Sequence, residues 1–144
     1  SVSIPPAKLA IILLLENPQL LGELDEVPSL DPEADDDVAT LQEIIHYLQK
    51  RPNSNFNNIL GFWGGAKGID AQKQLAELMA NQLLSSVKIV ESYDPLQELQ
   101  ATLTSLGESQ NKRSRQHEIN ALKARGLTNL NPDERQRLLE LTRD

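Results

Sequence analysis

Two histidines, His46 and His117, and one run of three carboxylates, Asp35-Asp36-Asp37, are the raw material for metal or hydrolytic chemistry in this 144-residue chain, which has no cysteine. They do not add up to a site. Without Cys there is neither a disulfide framework nor a thiolate zinc centre, and two imidazoles are too few for a metal cage. Consecutive aspartates point in different directions and no EF-hand spacing follows, so the run reads as a solvated cluster at a helix start. Gly61, Gly64, Gly65 and Gly68 make GFWGGAKG look like a phosphate cradle. It lacks both the Gly-Lys-Ser/Thr ending and the preceding strand that shape such a loop, and it reads as a turn in which Gly64-Gly65 stops a helix. His46, next to the inward Ile45, reads as a partly buried helix residue, and His117 sits in a polar stretch; neither has a Ser, Cys or carboxylate spaced for nucleophilic catalysis. No catalytic residue, metal site or cofactor is expected. A hydrolase using Asp35–Asp37 is a remote reading.

Charge and composition narrow the classes further. Fourteen basic and 21 acidic residues leave a net charge of −7, which argues against a nucleic-acid-coating surface and any direct nucleic-acid binding. The charge is uneven: residues 1–62 hold 3 basic and 10 acidic side chains, whereas 108–144 hold 8 and 6. Lys112, Arg113, Arg115, Lys123 and Arg125 form a basic stretch open to nucleic acid, to an acidic protein face or simply to solvent. The longest apolar run, Leu9 to Leu15, falls far short of the roughly 20 residues of a membrane span, and no basic stretch precedes it as in a signal peptide. A soluble protein, neither secreted nor membrane-bound, is expected. Twenty-five leucines against 5 valines and 9 isoleucines, with 3% aromatics, favour helix over strand. The expected fold class is all-α: a helical bundle joined by a long helix to a C-terminal helical hairpin.

The elements follow from caps and spacing. Pro5-Pro6 opens a first helix, apolar on nearly every face through Leu15, that must lie in the middle of a bundle. Within it Lys8 is the lone cation, beside Ile4 and Ile11; it either snorkels to water or marks the rim of a groove for an acidic peptide with an apolar end. Asn17-Pro18 reads as N-cap and N1 of a short helix, and Glu26 to Asp37 as a loop. The aspartates lead into a helix with Val38, Leu41, Ile44, Ile45 and Leu48 inward. Ser54 or Asn53 caps the next, with Phe56, Ile59, Leu60 and Trp63, and Asp70 caps one with Leu75, Leu78, Met79 and Leu83 inward. Ser86 to Tyr93 is assigned to helix end and turn.

Asp94-Pro95 starts a helical run to Arg125, stopped by Gly126. Leu96, Leu99, Leu103 and Leu106 form one buried stripe; from Gly107 to Glu118 it vanishes, the pattern of a solvated arm between two packed bodies. Gly107, costing roughly 1 kcal/mol relative to Ala inside a helix, is where the arm could bend. Residues 119–144 then read as a helical hairpin whose second helix is capped by Asn131, with Pro132 at N1 and Glu134 completing a capping box. Some 26 residues lie well below the roughly 40 at which independent folding becomes plausible, so the hairpin must set its leucines on something. It either docks on a partner, packs on its own body or pairs with a second copy. The expected divisions are a bundle over 1–106, an arm over 107–118 and the hairpin over 119–144.

The opening PPAKLAIILLLENPQLL and the closing GLTNLNPDERQRLLEL resemble, in sequence and in separation, the C-terminal helicase-binding domain of bacterial replicative primase. The resemblance spans essentially the whole chain, with residues 25–95 matching in helical pattern only. It implies a non-catalytic interaction domain of the bacterial replisome in the cytoplasm, a monomer by itself, whose hairpin docks on the N-terminal domain of the hexameric helicase and couples primer synthesis to unwinding. It implies, too, that the zinc-binding and RNA-polymerising domains of the parent primase lie upstream of Ser1. The expected helicase contacts are Ile119, Leu122, Leu127, Leu130, Leu138 and Leu139 as anchors, with Arg135 and Arg143 as polar partners. The family further implies a pocket for the acidic, Phe-ended tail of single-stranded DNA-binding protein, matched here by Pro6, Ala7, Lys8 and Ile11, with Lys73 on a later helix. Relatives can carry extra basic residues before the first helix; here Ser3, Ile4 and Pro5 stand there, which implies weaker tail binding. The rival reading is a helical homodimerisation module.

Overall fold

The computed structural model of the chain describes residues 4–85 and 94–143, apart from the side chains of 82–85. Among the described residues there are helices and no strand: the fold is all-α. The chain divides into two compact units, Ser1–Leu106 and Gly107–Asp144.

The first unit is built around α1 (Pro6–Glu16), and α1 contacts α2 (Asp36–Lys50), α3 (Phe56–Lys67) and α4 (Ile69–Ser85). Its central position follows from composition, because a helix without a polar face can be stable only when surrounded. From Ala10 to Leu15 every residue is 3% exposed or less. At the end of α1 the expected short helix follows, as a 3₁₀ segment over Pro18–Glu23 with Asn17 at its N-cap and Pro18 at its start. Asn17 serves both helices through its backbone: its N–H closes α1 on the Leu13 carbonyl (3.0 Å), its carbonyl accepts from the Leu20 N–H (3.0 Å), and its side chain makes no capping bond. Leu20 and Leu21 reach the core.

α2 starts as its carboxylates dictate: Asp35 accepts a hydrogen bond from the Val38 N–H at 2.8 Å, and Asp36 and Asp37 lie in the first turn, at the positive end of the helix dipole. Val38, Leu41, Ile44, Ile45 and Leu48 are all buried, as their spacing requires. His46 is exposed rather than partly buried, since one residue along a helix turns the side chain about 100° away from Ile45. Tyr47, unremarked by periodicity, is buried; its hydroxyl donates to the Asn58 carbonyl (3.4 Å) and accepts from Ser54 (3.3 Å).

α3 is capped by Asn55, not by Asn53 or Ser54, through a reciprocal box in which Asn58 returns the bond (2.8 and 2.9 Å). Gly64-Gly65 does not stop it. The helix runs to Lys67 and ends at Gly68, where φ is +98°. Gly64 instead admits a neighbour: a Cβ there would lie 2.6 Å from Nε2 of Gln72 on α4, and that amide donates to the Leu60 carbonyl at 2.9 Å. Because α4 begins at Ile69, Asp70 lies inside the first turn and is not its cap. Leu75 and Met79 are buried and Leu78 is half-buried, whereas the Leu83 side chain and the 86–93 segment lie outside what the structure describes.

α5 (Pro95–Arg125) starts at Asp94, whose Oδ1 accepts from the N–H groups of Leu96 (3.0 Å) and Gln97 (3.3 Å). Leu99 and Leu103 are wholly buried in the core of the first unit. Gln100 adds a contact with no local sequence signal. Its Oε1 accepts from the Asp25 N–H (3.1 Å) and its Nε2 donates to the Glu26 carbonyl (3.0 Å), holding the acidic loop to the helix. α5 is helical through Gly107.

Candidate docking site in the hairpin

The second unit is the end of α5, a 3₁₀ turn at Leu127–Asn129 and α6 (Pro132–Thr142). The turn is made by Gly126 at φ +83°, a conformation that a Cβ disfavours, and the Asn129 amide donates back to the Arg125 carbonyl at 2.7 Å. α6 has the expected start: Asn131 accepts from the Glu134 N–H (2.8 Å) and Glu134 from the Asn131 N–H (2.9 Å), with Pro132 in the first turn.

Two ion pairs hold the two helices in register. Arg137 forks onto Glu118 through Nε (2.7 Å) and NH2 (3.0 Å), and within α6 it also stands 3.9 Å from Glu140. Arg125 pairs with Glu134. The Arg137 hydrogen bond holds the Glu118 carboxyl below its ordinary range and in return raises the guanidinium; Glu134 is lowered first by the Asn131 N–H and then by Arg125. Solvent screens pairs as exposed as these, so they set geometry more than stability. Sequence reading missed them for a plain reason. Glu118 and Arg137 are 19 residues apart and Arg125 and Glu134 nine, beyond any within-helix spacing.

The hydrophobic residues expected on the partner surface fall into two groups. Ile119, Leu130 and Leu138 are buried together inside the hairpin, with Leu122 and Leu141 packed against them. Leu127 and Leu139 face solvent, 64% and 60% exposed. Arg135 donates from Nε to the Leu127 carbonyl at 3.2 Å, and Leu139 and Arg143 follow Arg135 at successive four-residue steps. Leu127, Arg135, Leu139 and Arg143 thus form an outward strip of two apolar side chains and two cations.

In the first unit, Lys8 and Ile11 line a cleft of about 350 Å³ with Asp37, Trp63, Leu75 and Glu77 among its walls. Pro6 is exposed, Ala7 is 5% exposed and absorbed in the core, and Lys73 is exposed but does not line the cleft. Two carboxylates therefore share the cleft with Lys8. Among the described residues no group of His, Asp and Glu is placed to hold a metal ion, and no helix is long and apolar enough to cross a membrane.

No curated protein matches the chain, and no solved structure does. A family model described as DNA primase DnaG DnaB-binding matches residues 7–141. The match runs from α1 through the bundle and α5 to the end of α6, across both units, and the chain belongs to the family of DnaB-binding domains of the DNA primase DnaG.

Proposed function

We propose that the hairpin docks this domain on the N-terminal domain of the replicative helicase DnaB and so couples primer synthesis to unwinding, in a bacterial cytoplasm. The observation that carries this reading is the outward strip. A hairpin that already closes its own core keeps two leucines in water beside Arg135 and Arg143. Covering each Leu contributes about 1.5–3 kcal/mol, and the arginines suit carboxylates or carbonyls on the facing surface. The role is binding; catalysis belongs to other parts of a primase. Calorimetric titration into the helicase N-terminal domain tests it. The Leu127→Asp/Leu139→Asp chain, folded by circular dichroism, is expected to show no heat of binding, and undiminished binding would overturn the assignment. A concentration-dependent dimer in light scattering without any partner would transfer the strip to self-association.

A second contact is proposed at the cleft, for the acidic tail of single-stranded DNA-binding protein. Lys8 at the rim and Ile11, Trp63 and Leu75 in the walls suit a terminal carboxylate next to an aromatic ring. Asp37 and Glu77 oppose it, so the expected affinity is low and rises on Glu77→Gln.

A further inference from the structure

The docking strip leaves one charged surface of the second unit unused. No side chain from Gly107 to Glu118 is apolar, and every residue from Asn111 to His117 is exposed. Lys112, Arg113, Arg115 and Lys123 make no ion pair with any described residue, whereas Arg125 and Arg137 are taken by Glu134 and Glu118. With Glu118 committed to Arg137, the stretch 107–123 keeps four cations against the single carboxylate of Glu108. At 3.6 residues per turn and 1.5 Å per residue, Lys112, Arg115 and Lys123 fall within a sector of about 80°, over roughly 17 Å, and Arg113 lies about 80° beyond its edge.

We propose that this basic stripe of α5 is a contact for the phosphate backbone of a nucleic acid, bound without regard to sequence. A protein partner would need desolvated apolar or aromatic anchors at the centre of its contact, and residues 107–118 supply none. A phosphate backbone needs only cations, since release of its condensed counterions drives binding without apolar burial. Residues 107–144 contain no Phe, Tyr or Trp, and their one imidazole, His117, falls about 140° around the helix from Lys112, so stacking adds nothing along the stripe and duplex and single strand are both accepted. The whole-chain charge of −7 does not decide the matter. It arises from the 3 basic and 10 acidic residues of 1–62, and charges separated by more than about 8–10 Å are largely screened at physiological salt.

The test is fluorescence anisotropy with a labelled oligothymidylate and a labelled random-sequence duplex across a salt series. The unaltered chain is expected to bind both at low salt, with a log–log salt slope of about −2 to −4, as three or four phosphate contacts require. Lys112→Ala/Arg113→Ala/Arg115→Ala, three exposed changes that favour helix, should reduce the slope to about −1 or flatter and weaken low-salt binding at least ~10-fold. Lys50→Ala/Arg51→Ala/Lys73→Ala, with the same net charge and the stripe intact, should leave the slope unchanged. Three results would overturn the proposal: no salt-dependent binding by the unaltered chain, equal weakening in both triple variants, or a stripe variant that loses helicase binding while nucleic-acid binding persists. The last would assign the stripe to an acidic protein surface.

Discussion

Leu138 and Leu139 are neighbours of one residue type with opposite surroundings, 8% and 60% exposed, which makes the pair a sharp test of the docking strip. Leu138→Ala removes an anchor from a cluster of three buried side chains and two half-buried ones. Buried Leu→Ala changes cost about 2–5 kcal/mol, and so small a cluster can collapse around the gap, which puts this one at about 2–3 kcal/mol. If that is charged to the opening of the hairpin, amide exchange over 119–141 should accelerate about 30- to 150-fold while exchange in α1 to α4 stays unchanged. Leu139→Ala exposes no cavity and should move the same exchange rates by less than about twofold, consistent with a surface effect within 0.5 kcal/mol. In titration against the helicase domain the order reverses in origin. Leu139→Ala should weaken binding about 10-fold with the hairpin intact, by losing a contact of about 1.5 kcal/mol, and Leu138→Ala should weaken it because the hairpin opens. Unchanged affinity for Leu139→Ala, or unchanged exchange for Leu138→Ala, refutes the division of the hairpin into inner and outer leucines.

Other perturbations probe the parts that position this surface. Glu118 and Glu134 have carboxyls lowered from 4.5 in the folded hairpin, so the stability they confer is present in full above that value and fades as pH falls through their folded values. Exchange protection over 119–141 should be flat from neutrality to about pH 5.5 and decline below 4.5, and Glu118→Gln should make the decline shallower. In α3, Gly61→Ala meets nothing within 4 Å and should raise stability by about 0.5–1 kcal/mol in a denaturant titration. Gly64→Ala displaces Gln72 and forfeits its bond to the Leu60 carbonyl, so it should fall about 1 kcal/mol short of that gain in the same denaturant titration. Gln100→Ala should free the 24–26 loop, seen as faster amide exchange at Asp25 with loss of about 0.5–1.5 kcal/mol.

Where a single residue and its near neighbours set the outcome, the sequence was legible. Asp94 and Asn131 cap the helices they were expected to cap, the Asp35–Asp37 run lies at a helix start as expected, with Asp35 as the cap, and Gly126 ends α5, because a cap is a contact within three or four residues. The departures at Gly64-Gly65 and Asp70 are local too, and arise where several punctuating residues crowd together: Gly68, not Gly64, takes the positive φ, and α4 begins at Ile69, ahead of Asp70.

By itself the sequence determined the all-α class, the central place of α1 and the stripe that buries Leu99 and Leu103, since a side chain's burial there depends on periodicity and on the absence of any polar face. It also identified the family, through motifs at its two ends. What it left open was the sorting of the hairpin's leucines. Leu127, Leu130, Leu138 and Leu139 are chemically alike, and only the closure of α6 on α5, with Arg137 reaching Glu118 across 19 residues, turned Leu130 and Leu138 inward and left Leu127 and Leu139 in water. Tertiary structure decided this because burial in a hairpin depends on which face meets the other helix, and that register is fixed by contacts that one-dimensional spacing does not contain.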